Sequence, residues 1–276
     1  MARRTSALAI ASLAPFLMFA AARAADAPAE RPIRALLVIG GGSHDYPKQK
    51  DILVEGISAR ANVVFQMAFD PAGVNNHANP VYDDPDWAKG FDVVVHDESV
   101  GKVTDLKLVE RILKPHREGL PAVVLHSGMH AYRTEGWPKA ITPWFEFTGL
   151  QTTGHGPQFP ISIHFLDSKD PITEGFSDWT TIKEELYNNA AGKLLDTAHP
   201  LARGKQTVKD KTQDNVVVWT NLYNGKTRVF ATTLGHNNQT VEDPRYLDLV
   251  TRGLLWSVDK LDAAHLKAAK GSPAAP

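Results

Sequence analysis

The chain contains no cysteine among its 276 residues, and this absence excludes several classes of protein. A disulfide-bonded scaffold, a zinc site made of thiolates and a cysteine nucleophile all require that residue. The net charge is also small, at -1 with 30 basic and 31 acidic residues. Since nucleic acids and anionic membranes attract proteins through clustered basic residues, we expect no nucleic-acid partner.

The first 24 residues have the pattern of a secretory signal peptide. Arg3 and Arg4 precede an uncharged stretch from 7 to 22, and Ala22-Arg23-Ala24 provides the small residues that signal peptidase recognises. An uncleaved membrane anchor is the alternative, but the apolar run is short and rich in alanine for a bilayer core of about 30 Å. We therefore expect cleavage near Ala24, a periplasmic or secreted protein, and no membrane partner after cleavage.

The mature chain predicts one domain over 32–262, between a polar leader at 25–31 and a disordered tail at 263–276. Short apolar runs predict buried strands, and the lack of polar alternation within them indicates a sheet that is covered on both faces. These runs cover 35–39, 63–65, 91–95, 122–125, 216–219 and 229–233.

Stretches with helical character separate the early strands. They lie at 47–60, at 104–116 after a capping Thr104, and at 137–147, and an amphipathic helix is predicted at 246–261. Alternation of strands and helices predicts an α/β fold with a mainly parallel sheet. The region 161–219 has more strand and turn signals, and Asn224-Gly225 predicts a hairpin turn, so a small antiparallel extension is expected.

Histidines follow four of the predicted strands. His44 comes after the first strand, His96 after the third, His126 after the fourth and His236 after the last. In an open parallel sheet, ligands bind beyond the carboxyl ends of the strands, where the loops meet. The pattern therefore predicts that histidines from distant parts of the chain gather at one edge of the sheet.

Each of these side chains also has a purely structural interpretation. His44 could cap a turn or the next helix, although the glycines before it, among them Gly41 and Gly42, would let backbone N–H groups approach an oxygen-rich ligand. His96 could join Glu98 in a satisfied polar loop. His130 and six further histidines are assigned to the surface or to loops, with His155 as the leading exception: His77, His116, His155, His164, His199 and His265.

Two other segments carry candidate residues. Leu125-His126-Ser127-Gly128 lacks the leading glycine of a serine-hydrolase elbow, which argues against Ser127 as a nucleophile. In Glu184-Glu185-Leu186-Tyr187, alternate residues of a short strand would share one face, so Glu185 and Tyr187 would lie together and Glu184 would point away. A solvated edge strand is the alternative interpretation of this segment.

In combination, these motifs resemble those of the ThuA-like (trehalose utilisation) family, whose domain is similar to the class I glutamine amidotransferase fold, a flavodoxin-like three-layer α/β sandwich. By this resemblance, His126 stands at the turn where amidotransferases have their nucleophilic cysteine, so glutamine hydrolysis through a thioester is excluded. The matching motifs run in order at 37–47, 123–127, 170–175, 184–187, 217–220, 225–236 and 253–256.

The resemblance implies chemistry on oxidised, 3-keto disaccharides and related glycosides, with a metal ion in some members. We expect His44, His126 and His236 to hold a divalent ion such as zinc, and His126 and Glu185 to be catalytic. A cation that polarises a sugar ketone and a base that removes the adjacent proton would give isomerase- or lyase-type chemistry. The residues expected to contact a small carbohydrate are Gly41, Gly42, His44, Ser127 and Tyr187.

The sequence leaves open both the metal preference and the type of function. His130 and Asn237 stand where relatives often have acidic residues, which would affect the metal preference. The alternative function is a non-catalytic sugar-binding module, in which the histidines are neutral hydrogen-bond partners. Hydrolysis and oligomerisation are compatible with the same pattern.

Overall fold

The predicted apolar runs form the centre of the sheet in the structure, a computed structural model that describes residues 31–189 and 194–267. In this part of the chain the strands are β1 Ile33–Gly41, β2 Val63–Asp70, β3 Val93–Ser99, β4 Ala122–Leu125, β5 His155–Phe159, β6 Ser162–Phe165, β7 Trp179–Thr180, β8 Glu184–Tyr187, β9 Ala198–Val208, β10 Lys211–Tyr223 and β11 Thr227–Thr232. The α-helices are α1 Tyr46–Arg60, α2 Leu106–Glu118, α3 Pro143–Thr148, α4 Asn238–Val241 and α5 Pro244–Ser257.

Nine of the strands form one mixed sheet in the order β2-β1-β3-β4-β11-β10-β9-β6-β7. The first five are parallel and have the strand order of a flavodoxin-like fold. The other four are antiparallel, so the predicted extension is present and is larger than expected. β5 and β8 pair in a separate antiparallel ribbon.

Helices cover both faces of the parallel strands. Leu37 and Ile39 of β1 belong to the core that includes α1 and α5, whereas Leu36 and Val38 belong to the core that includes α2 and α3. Successive side chains of a strand point to opposite faces, so a strand buried on both sides is apolar throughout. This arrangement confirms the three-layer α/β sandwich.

The hairpin turn between β10 and β11 is confirmed. Asn224 has a φ of 51° and Gly225 a φ of 66°, and the N–H of Lys226 donates to the carbonyl of Tyr223 at 3.1 Å. Positive φ at both central positions matches the twist of the paired strands.

Three of the predicted helices have boundaries that differ from the prediction by two or more residues. Asp105, not Thr104, caps α2 by accepting from the N–H of Lys107. The predicted helix at 137–147 is reduced to α3, which begins after Thr142, because residues that precede proline avoid the helical conformation and proline occurs at both 138 and 143. α5 begins at Pro244, capped by Asp243, and ends four residues earlier than expected.

The domain extends beyond the predicted boundary at 262. The N–H of Lys267 donates to the carbonyl of Arg60 at 2.7 Å, and Leu266 forms an isolated bridge with Ala61. His265 lies in a turn, as one of its two assignments expected, but it is buried there and not on the surface. The predicted signal peptide at 1–24, the leader up to residue 30 and the tail from 268 onward lie outside the described residues. Among the described helices, none has the length and apolar character needed to cross a membrane.

Candidate functional site

Three imidazole rings meet at the carboxyl edge of the parallel strands. His44 follows β1, His126 follows β4 and His236 lies shortly after β11. Their ring centroids are 4.9 Å apart for His44–His126, 4.9 Å for His44–His236 and 5.4 Å for His126–His236. Glu185 of β8 joins them, and one ligand atom from each of the four residues lies within 4.8 Å of all the others. The predicted meeting of distant histidines at one edge is confirmed.

The glycine segment at the end of β1 fixes the orientation of His44. Gly41 has a φ of 103°, and a Cβ atom there would lie 2.3 Å from the carbonyl oxygen of Ser99, so only glycine fits. The N–H of Gly42 donates to that same carbonyl, while the Gly42 carbonyl lies 2.9 Å from His44 Nδ1. The Gly42 N–H is therefore not available to a ligand, contrary to our expectation, and His44 Nε2 is left buried without a partner.

The turn after β4 fixes the orientation of His126. Its φ of 42° is unusual for a residue with a side chain, and it places the imidazole at the edge of the sheet. Nδ1 lies 2.7 Å from the Thr233 carbonyl, so it donates there, and Nε2 lies 3.2 Å from the Tyr187 hydroxyl. The buried Ser127 hydroxyl contacts the Tyr46 hydroxyl at 2.9 Å. Tyr187 and Ser127 thus support the cluster, and substrate contact by either remains a prediction.

Both carboxylates of β8 are buried, which corrects the interpretation of this segment as a solvated edge. Glu184 accepts hydrogen bonds from the backbone N–H groups of Gly235 and His236, at 3.1 and 3.0 Å, and so holds the His236 backbone. His236 Nδ1 lies 3.1 Å from Glu185 Oε2, and its Nε2 contacts the side-chain amide of Gln158 at 2.6 Å. Nδ1 is therefore the His236 atom that faces the cluster.

Burial determines the charge state of the imidazoles. It lowers the pKa of His44 to about 4, although the Gly42 carbonyl acts in the opposite direction. Burial, with a smaller contribution from His44, also lowers the pKa of His126 well below its ordinary value. Burial alone would raise the pKa of Glu185, but its interactions with His236, His155 and Gln158 outweigh burial and lower it. At neutral pH the cluster thus combines neutral rings at these two positions with an ionised carboxylate.

Two further histidines line the same region. His155 Nε2 lies 3.5 Å from Glu185 Oε2, and the His155 ring stacks on Tyr187 with centroids 5.3 Å apart. His130, which we assigned to the surface or to a loop, is half-buried and also stacks on the Tyr187 ring, with centroids 4.5 Å apart. Three residues that contact His236 were not predicted from the sequence, namely Glu184, Gln158 and Gln49. The side-chain amide of Gln49 donates to the His236 carbonyl at 3.0 Å. Only Glu184 had a signal, its position beside Glu185.

His96 and Glu98 belong to a different cluster. β3 continues to Ser99, so both residues lie within a strand and not in a loop, and both are buried on the face that α2 covers. His96 contacts Glu98 at 3.0 Å and His116 at 3.1 Å. His116 is itself fully buried, which corrects its assignment to the surface. We call this group of residues, together with Tyr82 and Tyr132, the inner cluster, and His44, His126, Glu185 and His236 the edge cluster.

The edge cluster has the donor set of a divalent metal site. His44 Nε2 and His236 Nδ1 are buried without a well-aligned hydrogen bond, and the Nδ1 atoms of His44 and His126 are engaged by carbonyl groups, which directs each Nε2 inward. Ligand atoms of a tetrahedral zinc site lie about 3.3 Å apart, so small side-chain rotations would bring these atoms into position. The residues present therefore fit a metal such as zinc.

Comparisons with known proteins agree with the fold and identify the family. The model of the family described as ThuA, trehalose utilisation, matches residues 35–257. A crystal structure of a ThuA-like protein from Parabacteroides merdae superposes with a TM-score of 0.61 and 19% identity, over 83% of this chain and 90% of that one. A ThuA-like protein from Bacteroides uniformis gives 0.58 and 14%, over 82% and 93%. The comparison with curated proteins gave no match.

At such low identity the two crystal structures support the fold alone. The family match is the stronger finding, since it begins within β1 and ends with α5, and it includes all four residues of the edge cluster. The chain therefore belongs to the ThuA (trehalose utilisation) family, which places it among proteins of carbohydrate metabolism.

Proposed function

We propose that this protein is an exported, metal-dependent enzyme that catalyses isomerase- or lyase-type reactions of keto-glycosides. The observation that supports the proposal most directly is the edge cluster, where ring nitrogens from three distant loops are buried and two of them lack a well-aligned partner. A buried polar atom without a partner costs free energy, and a ligand that pairs with it removes that cost.

In this proposal His44, His126 and His236 hold the metal and Glu185 is the general base. A bound divalent ion supplies a Lewis acid that polarises the ketone of the sugar. Glu185 Oε2, which is ionised at neutral pH and lies 3.1 Å from His236, takes the proton from the carbon beside the ketone. Return of that proton to the former ketone carbon, with transfer of the hydroxyl proton from one oxygen to the other, completes an isomerisation. Cleavage of the bond to the glycosidic oxygen, which leaves with the abstracted proton as an alcohol, completes an elimination.

Export is the second part of the proposal. Its support is the sequence of residues 1–24, with two arginines, an uncharged stretch and small residues near Ala24. Amino-terminal sequencing of the protein secreted from its host should begin at Ala25. A protein that retains Met1 would contradict export by this route.

Elemental analysis of the purified mature chain tests the metal site. We expect about one equivalent of a transition metal in the wild type, loss of that metal in His126→Ala, and no loss in the matched control His164→Ala, because His164 is an exposed residue of β6. Removal of the metal with a chelator should abolish turnover of keto-glycosides. No stoichiometric metal, together with turnover that resists the chelator, would contradict the proposal.

Deuterium exchange tests the role of Glu185. In D2O the wild type should place one deuterium on the carbon beside the ketone, and Glu185→Gln should lose this exchange by a factor of at least about 100. If the variant exchanges at the wild-type rate, Glu185 is not the base. A metal-free protein that binds the sugar without exchanging any proton would instead be the non-catalytic sugar-binding module.

A further inference from the structure

Arg133 is a cation without a counter-charge beside the edge cluster. It follows the short 3-10 helix His126–His130, and its Nε donates to the His130 carbonyl at 2.9 Å. Its guanidinium lies over the Trp137 ring, with Cζ 4.3 Å from the centroid. Within residues 31–189 and 194–267, neither terminal nitrogen of Arg133 has a hydrogen-bond partner. The side chain is thus held by its inner end and by stacking, while its two terminal groups are free.

A short chain of contacts connects Arg133 with the edge cluster. The His130 ring stacks on Tyr187 with centroids 4.5 Å apart, and the Tyr187 hydroxyl lies 3.2 Å from His126 Nε2. The guanidinium interacts electrostatically with both His130 and Tyr187. A Cβ atom at Gly101, just after β3, would lie 3.3 Å from the Arg133 guanidinium. Arg133 therefore lies at the same carboxyl edge of the sheet as the metal-binding residues.

The other arginines of the described chain show how unusual this position is. Five of them pair with carboxylates within the 4 Å limit of an ion pair: Arg60, Arg117, Arg203, Arg228 and Arg245. Arg34, Arg111 and Arg252 have no such partner, but Arg34 and Arg111 are exposed to water. Arg252 is half-buried, and a terminal nitrogen of its guanidinium donates to backbone carbonyls, which is not the case for Arg133. Arg133 is half-buried, so it loses part of its hydration without gaining an anion in exchange. This loss would be compensated if the ligand supplied the anion.

We propose that Arg133 binds an oxyanion of the substrate, so that the carbohydrate which reaches the edge cluster is an acidic one. The inference rests on the proposed function and adds the substrate class to it. The planar guanidinium donates two parallel hydrogen bonds to a carboxylate, as in a sugar acid, and binds a phosphate in a similar way. Stacking on Trp137 leaves the edge of the guanidinium for such a pair of bonds.

Calorimetric titration of the metal-loaded mature protein tests this inference with three probes, D-glucuronate, D-glucose 6-phosphate and D-glucose. We expect at least one acidic probe to bind about tenfold or more tightly than glucose, and this preference to fall with rising salt. The acidic probe that binds more tightly shows whether the site prefers a carboxylate or a phosphate. Arg133→Gln should lose the preference, Arg133→Lys should retain part of it, and Arg111→Gln should retain it fully.

Equal binding of acidic and neutral probes by the wild type, or an unchanged preference in Arg133→Gln, would overturn the inference, and so would no binding of any probe. The metal content of the same samples separates this failure from failure of the proposed function. A protein that carries its metal but shows no preference for acidic sugars refutes the role of Arg133 alone. A protein without metal refutes the proposed centre as well.

Discussion

The edge cluster and the inner cluster contain similar residues but differ in how their polar atoms are paired. Both combine histidines with a glutamate, but the inner cluster is fully buried, whereas His44 and His236 of the edge cluster are partly exposed. In the inner cluster, Glu98 accepts from the hydroxyls of Tyr82 and Tyr132 at 2.7 and 2.8 Å, and His116 Nδ1 donates to the Leu120 carbonyl at 2.7 Å. In the edge cluster, His44 Nε2 has no partner.

This difference separates a structural network from a binding site. A buried polar network in which every atom is paired contributes to a unique, rigid core. A buried polar atom without a hydrogen-bond partner destabilises the folded protein, and it indicates a ligand that would pair with it. Histidines and a glutamate occur in both clusters, so their composition alone would not have identified the site.

Removal of Glu98 should have the largest effect. Glu98→Ala leaves two buried tyrosine hydroxyls and His96 without their shared acceptor, and we expect the free energy of unfolding to fall by about 3–5 kcal/mol. Urea denaturation followed by circular dichroism measures the loss. Glu118→Ala, at an exposed position on α2, is the control and should change stability by less than about 0.5 kcal/mol. A loss below 1 kcal/mol in Glu98→Ala would show that the inner cluster is not structural.

A comparison of one histidine variant from each cluster, with zinc affinity as the measurement, should give the next largest effect. His44→Ala should weaken zinc binding by more than about 100-fold, because it removes a proposed ligand. His96→Ala should leave zinc affinity unchanged in the protein that remains folded. Competition with a chromophoric chelator measures both affinities. Equal losses in the two variants would remove the distinction between the clusters.

The buried His116 of the inner cluster should make the free energy of unfolding depend on pH in the acid range. Burial, and then His96, lower the pKa of His116 to about 3 from an ordinary 6.5, so the unfolded chain takes up a proton before the folded one. Stability should therefore fall as the pH falls from about 6.5 toward 3, with a contribution near 1.4 kcal/mol per pH unit from this group.

His116→Gln removes that contribution. We expect its free energy of unfolding to depend less steeply on pH than that of the wild type, by about 2 kcal/mol between pH 6 and 4.5. Urea denaturation at several pH values provides the comparison. Identical slopes would mean that His116 is protonated in the folded protein or exposed in it.

Glu184→Gln should give the smallest change and tests how the edge cluster is positioned. The amide keeps the size of the side chain but loses one of the oxygens that hold the backbone N–H groups of Gly235 and His236. We expect zinc to bind about tenfold more weakly. Glu174→Gln, an exposed position, is the matched control. Unchanged zinc affinity would show that Glu184 only fills space.

Much of the fold could be predicted because its signals are local. The apolar run of β4 coincides with the observed strand, and Asn224-Gly225 has the positive φ values that its sequence favours. The helix predicted at 137–147 was wrong because two prolines outweighed the apolar periodicity. The predicted end of β3 was also wrong. The polar residues His96 and Glu98 are typical of a loop, but hydrogen bonds within the inner cluster let them lie inside the strand.

The candidate site could be predicted in part for the same reason. His44, His126 and His236 each follow a strand, and the topology of a parallel sheet brings such positions to one edge. Gln158 and Gln49 had no such signal, because their contacts with His236 depend on chain segments far apart in sequence.

The sequence by itself determined the sheet, its flanking helices and the edge at which histidines would gather. Hydrophobic periodicity and turn-forming residues are local patterns, so residues close together in sequence are enough to show them. Only the tertiary structure decided which buried histidines are paired and which are not. That outcome depends on partners such as Tyr82 and Thr233, which lie 14 and 107 residues from the histidines that they contact, and separations of this kind leave no local pattern.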